Sequence, residues 1–85
     1  MPLQELFDEA VAGSKILPVK PGNETLLNLY ALYKQSTVGD ATADAAPANA
    51  FDFVGKAKYD SWAALKGKSK DNSMEEYIQL VNSLK

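Results

Sequence analysis

On a helix, residues three and four apart share a face, so the run Tyr30-Ala31-Leu32-Tyr33-Lys34 sets two phenol rings beside one ammonium group. That grouping suits a phosphorylated ligand that also carries a flat ring, because an ammonium pairs with phosphate while an aromatic side chain stacks on a base. The segment Phe53 to Trp62 adds Lys56 and Lys58 with aromatic neighbours Tyr59 and Trp62, and Tyr77 lies on a later amphipathic stretch. The same residues also have a plainer use. Helical tyrosines commonly pack on a core and turn the hydroxyl to solvent, a lysine such as Lys58 can snorkel from a helix edge, and Trp62 reads as core. Leu26 and Leu27 are core-like as well, although a groove lined by such residues between helices would also take an acyl chain.

The composition excludes much of catalysis. The 85 residues contain neither cysteine nor histidine, which removes the usual thiolate nucleophile, the usual general base and the common zinc ligands. A thioesterase would have to use Ser36 or Ser61 with a tuned lysine or carboxylate as base. The expectation is a protein that is not an enzyme, with no catalytic residue, no metal and no cofactor. The length suits one domain spanning residues 1–85, near the small end of what an apolar core can support without disulfides. Glu5, Asp8 and Glu9 without an arginine fit neither a secretory signal nor a mitochondrial presequence, no apolar run is long enough to span a bilayer, and the chain reads as cytoplasmic.

The net charge of −2 is unevenly spread. Between Val54 and Lys70 five lysines (56, 58, 66, 68 and 70) face one acid, Asp60, a local +4 on an otherwise acidic chain. A short basic stretch fits one compact polyanion better than nucleic acid, which favours a broad basic footprint. Lysine runs also commonly form no more than a solvated face.

These groups need helices to hold them. Leu3, Leu6, Phe7, Ala10 and Val11 recur at helical spacing and predict a helix from about Pro2 to Ser14, ended by Gly13 and the Pro18–Pro21 segment. Asn23 suits an N-cap, with Glu24 in the first turn, and Leu26 to Tyr33 give the second helix an apolar surface too wide for one neighbour; it ends near Thr37 or Val38. Residues 39–49 read as a surface connection, slightly long, whose alanines allow a helical turn limited by Pro47. A short helix over Asp52 to Leu65 stops at Gly67. The last begins between Ser69 and Ser73, where Ser73 and Glu76 offer a capping box, and continues through Met74, Tyr77, Ile78, Val81 and Leu84. With no strand-like alternation, an all-α antiparallel four-helix bundle is expected.

The run Tyr30 to Asp40, then Asp52-Phe-Val-Gly-Lys-Ala-Lys-Tyr-Asp-Ser-Trp62 and Leu65-Lys-Gly67, resembles the acyl-CoA-binding protein family. Phe7, Lys20-Pro21 and Tyr77-Ile78 extend the likeness over nearly the whole chain. The resemblance implies a small bundle with an up-down-down-up course that binds long-chain fatty acyl-CoA and acts as an intracellular carrier and pool former. It further implies Tyr30 and Lys34 at the phosphates and nucleotide, Tyr33 at the adenine, Lys58 at the ribose 3′-phosphate, Lys15 near the nucleotide and Tyr77 at the ligand, with Leu26 and Leu27 in an acyl groove. The implied partners are acyl-CoA and, transiently, acyl-CoA-using enzymes or membranes, with no nucleic acid and a monomeric state. Three departures stand out: Tyr59 replaces a usual tryptophan, Val54 sits where many members have lysine, and the connection before Phe53 is about two residues longer than in short members. The competing reading is a helical interaction module whose tyrosine and lysine face binds an acidic peptide.

Overall fold

The computed structural model describes residues 2–85. It contains helices α1 (Leu3–Ser14), α2 (Asn23–Thr37), α3 (Phe53–Ala63) and α4 (Lys70–Leu84), with one 3-10 turn at Ala43–Ala45. Contacts between helices fix their directions. Tyr30 meets Lys58 and Lys34 meets Trp62, a constant offset of 28 residues, so α2 and α3 run parallel. Gln35 near the end of α2 bonds to Lys68 just before α4, so those two helices are antiparallel. Gly13 lies beside Val81 and Lys85, which brings the C-terminal ends of α1 and α4 together. The course is up-down-down-up, as the resemblance implied.

Parallel α2 and α3 explain the long connection. After α2 ends, the chain must return along the bundle before α3 can start, a distance of roughly 16 Å for eleven helical residues. The return path is pinned to α3: the Trp62 indole N–H donates to the Gly39 carbonyl at 2.8 Å and the Tyr59 hydroxyl to the Thr42 carbonyl at 3.2 Å. Gly39 has φ +99°, a left-handed conformation that favours glycine, and it turns the chain out of α2.

The wide apolar surface of α2 serves both α3 and α4, while α1 packs on α4. Phe7 and Ala10 from α1, Leu29 and Leu32 from α2, and Met74, Tyr77 and Val81 from α4 form the buried cluster. Spacings of three residues on α1 and α2, and of three, four and seven on α4, produce it, since each contributing stripe presents one side to the same centre.

Helix starts differ from the sequence expectation at two places. Gly22, not Asn23, is the N-cap of α2, and no side chain caps it; Asn23 is already helical. In α4 the cap is Ser69, whose side chain accepts from the Asn72 N–H at 3.0 Å. Ser73 is fully buried inside the helix and donates to the Ser69 carbonyl at 2.8 Å, while Glu76 pairs with Lys68. Only Ser73 has a glutamate three residues on, yet the cap is the serine four residues earlier, which adds a turn of backbone bonding to the helix. Asp52 caps α3 by accepting from the Gly55 N–H at 2.9 Å, and that helix ends at Ala63, two residues before Leu65.

Candidate functional site

The parallel pairing of α2 and α3 aligns two rows of side chains. Leu26, Tyr30 and Lys34 recur every four residues on α2, and Val54, Lys58 and Trp62 do so on α3. Facing each other, the rows change in character from one end to the other. At the N-terminal ends of both helices Leu26, Leu27, Phe53, Val54 and Ala57 line an open groove of about 390 Å³, with Asn23 and Lys58 as its polar members. One turn on, the Lys58 ammonium lies 5.4 Å from the centre of the Tyr30 ring. Another turn on, the Lys34 ammonium lies 5.1 Å from the Trp62 ring. Both are cation–π arrangements, which hold an ammonium in place and leave its N–H bonds free on the outer side.

A second aromatic group adjoins α2. Tyr33 stacks on Phe7 with centroids 6.0 Å apart and planes at 21°, and Tyr77 meets Phe7 edge-on at 5.1 Å. The exposures separate their uses. Phe7 and Tyr77 are 2% and 4% exposed, but Tyr33 is 40% exposed, so one of its faces rests on the core and the other remains open. Tyr77 spends its hydroxyl on Ser14, donating at 3.1 Å, and Ser14 in turn donates to the Val11 carbonyl at 2.7 Å. Lys15 is exposed in the turn that ends α1, next in sequence to the serine that holds Tyr77.

The fold therefore gathers Tyr30, Lys34 and Lys58 with Leu26 and Leu27 on the α2–α3 surface, and supports Tyr33 from below through Phe7 and Tyr77. Phe53, Val54 and Ala57 complete the groove, and sequence reasoning did not assign them to it. A signal was present: their spacing of i, i+1 and i+4 repeats that of Leu26, Leu27 and Tyr30. Trp62 is core, 5% exposed, and it also carries Lys34 on its ring. Among the described residues, no three His, Cys, Asp or Glu side chains gather to hold a metal ion, and no helix is long and apolar enough to cross a membrane.

The site is braced at the far end of α2. Asp40 accepts from the Gln35 amide at 2.7 Å and from the Gly67 backbone N–H at 2.9 Å, and the same amide donates to the Lys68 carbonyl at 2.9 Å. The Gly67 N–H, then the Gln35 amide, hold the Asp40 carboxyl below its ordinary value of 3.8, with a smaller contribution from Lys66.

The profile described as Acyl CoA binding protein matches residues 4–81. The chain belongs to that family. It is 47% identical over 78 residues to the Caenorhabditis elegans protein named acyl-CoA-binding protein homolog 1, covering 92% of this chain and 88% of that one. Against the Saccharomyces cerevisiae acyl-CoA-binding protein it is 43% identical over 82 residues, covering 96% and 92%. The crystal structure of Oryza sativa Acyl-CoA-Binding Protein 2 superposes with a TM-score of 0.89 at 43% identity, covering 98% of this chain and 90% of that one. A rat enoyl-CoA delta isomerase 2 is 46% identical over 81 residues, but the matched part is only 20% of that protein.

Family membership gives the departures their local meaning. Tyr59, which the resemblance sets against a tryptophan, uses its hydroxyl to tie α3 to the Thr42 carbonyl. Val54, which the resemblance sets against a lysine, is 68% exposed on the groove wall and makes the rim apolar there.

Proposed function

We propose that this chain binds long-chain fatty acyl-CoA through one continuous surface and carries it without cleaving it. The observation that supports this reading most is the order of side chains along α2 and α3: apolar groove, then Lys58 on Tyr30, then Lys34 on Trp62. CoA presents a base, phosphates and, when acylated, a long apolar tail. Lys58 belongs to the groove and to the first cation–π pair at once, so tail and phosphates can be engaged on adjoining surfaces. The open face of Tyr33 stacks on the adenine, Tyr77 supports it through Phe7, Tyr30 and Lys34 take the phosphates and nucleotide, Lys58 takes the ribose 3′-phosphate, and Lys15 approaches the nucleotide from the turn after α1. All of these groups come from one chain, so a monomer suffices. The cargo passes to acyl-CoA-using enzymes or membranes.

The thioester stays intact because no histidine or cysteine stands near it. Ser36 donates to the Leu32 carbonyl at 2.6 Å and is 1% exposed, which removes it as a nucleophile. Calorimetric titration with free CoA and octanoyl-, dodecanoyl- and palmitoyl-CoA tests the reading. A buried methylene contributes about 0.8 kcal/mol, so two carbons tighten binding by about 10- to 15-fold at full burial and by less in an open groove. Affinity rises with chain length and levels off when the groove is full, and palmitoyl-CoA releases no CoA thiol above background. Equal affinity for free CoA and the whole series would refute the carrier reading.

A further inference from the structure

The bonds around Gln35 form a brace at the C-terminal end of α2, next in sequence to Lys34, and nothing in the ligand contacts accounts for it. Gln35 is 1% exposed, yet its Oε1 is buried without a partner. A buried, unpaired acceptor is unfavourable, and a leucine or methionine would fill similar space without one. What an apolar side chain could not do is hold Asp40 and Lys68 together through Nε2.

The consequences run in a short chain. Asp40, fixed by Gln35 and by the Gly67 N–H, follows Gly39, whose backbone is in the left-handed region. With Asp40 held, the Gly39 carbonyl is aimed at α3 and receives the Trp62 indole N–H. That bond sets the rotation of the indole, and the Lys34 ammonium lies over its ring. We infer that Gln35 and Asp40 are positioning residues for the ligand surface: they set the pose of Lys34 through Gly39 and Trp62. The alternative is that the brace only ties the connection to the α3–α4 turn and adds stability.

This inference rests on the proposed acyl-CoA site, and two measurements keep its failure distinct from that of the site. The first needs no ligand. A ring beneath Lys34 displaces the NMR resonances of its ε-methylene protons, and Trp62 is the single tryptophan of the chain. Asp40→Ala moves these resonances toward those of an exposed lysine, while Asp40→Asn, which keeps the oxygen acceptor, restores most of the displacement. The second is a double-mutant cycle on free CoA binding. Asp40→Ala weakens binding by roughly 3- to 10-fold, and Lys34→Ala then costs less in that background than alone, because groups acting through one another are not additive. The gain per added acyl carbon is unchanged. Should Asp40→Ala not fold, as judged by circular dichroism, Gln35→Met keeps the volume, removes the Nε2 bonds and gives the same two readouts. Unmoved Lys34 resonances in a folded variant, or additive losses in the cycle, would overturn the inference. Absence of CoA binding by the unmodified protein would refute the site, and the resonances would still decide whether the brace sets the Lys34 pose.

Discussion

Tyr33→Ala separates stacking on the ligand from packing in the core, because the ring has one face for each. Its centroid distances of 6.0 Å to Phe7 and 6.5 Å to Tyr77 lie toward the outer end of the 4.5–7 Å range over which aromatic pairs contribute about 0.5–1.5 kcal/mol each. Two such pairs at the low end give about 1 kcal/mol beyond the apolar area they bury, so for a ring that is 40% exposed the stability loss should be about 2–3 kcal/mol, less than for a fully buried one. Phe7→Ala, by contrast, empties a site that is 2% exposed and should cost about 3–5 kcal/mol. Tyr33→Ala thus remains folded while losing its platform. Stacking a base on an aromatic ring is worth about 1–3 kcal/mol, so its affinity for free CoA should fall by about 5- to 150-fold.

The assay is calorimetric titration with free CoA, octanoyl-CoA and palmitoyl-CoA, beside a thermal melt followed by circular dichroism. Tyr33→Phe keeps the ring and should retain most of the affinity. The factor lost in Tyr33→Ala should be the same for all three ligands, since the groove at Leu26, Leu27 and Val54 is built from other residues. A lowered melt with free-CoA affinity unchanged within about twofold would show that Tyr33 is packing alone. A loss that grows with acyl length would place the ring against the tail, and the assignment of surfaces would fail.

Lys34→Ala and Lys58→Ala should each weaken acyl-CoA binding by about 1.5–3 kcal/mol, the range for hydrogen bonds to charged groups, whereas Lys85→Ala should leave it nearly unchanged; equal small effects in titration would reduce the lysines to a solvated face. Ser69→Ala should destabilise α4 by about 0.5–2 kcal/mol through loss of the cap, read as a lower urea midpoint, with CoA affinity retained. Asp40 has a depressed folded pKa, so its contribution is present above its ordinary value of 3.8 and disappears as pH falls through the lower folded value. Asp40→Asn should therefore be less stable than the parent at pH 7, with the difference narrowing in melts taken progressively below pH 4; a constant difference would show that the charge on Asp40 is irrelevant.

Each helix carried its own pattern openly. The rows Leu26-Tyr30-Lys34 and Lys58-Trp62 could be read from spacing alone, as could the stripes that build the core, since four-residue recurrence is a local property. Pairing the rows was another matter. It depends on α2 and α3 lying parallel, which the 39–52 connection makes possible, and no periodicity within either helix encodes that. The motif resemblance supplied the topology instead. The capping-box spacing of Ser73 and Glu76 pointed one turn past the true cap, Ser69, and burial of Ser73 shows why; Asp40 offered no pattern beyond following a glycine, because its two donors lie five and 27 residues away.

The hardest residues to assign were those with two uses. Trp62 is core by burial and a support for Lys34 by geometry, and Tyr77 is core by burial although the resemblance put it at the ligand. An 85-residue chain has little interior, so it cannot keep one set of aromatics for packing and another for the site. Phe7 shows the economy most plainly: it meets the buried Tyr77 edge-on and stacks with the half-open Tyr33, and the two tyrosines are themselves neighbours at 6.5 Å. In a bundle this small, core or ligand face is not a choice the sequence has to make, and a composition-based weighing of one against the other asks the wrong question. What decides is whether a ring keeps one face exposed, and among these three only Tyr33 does.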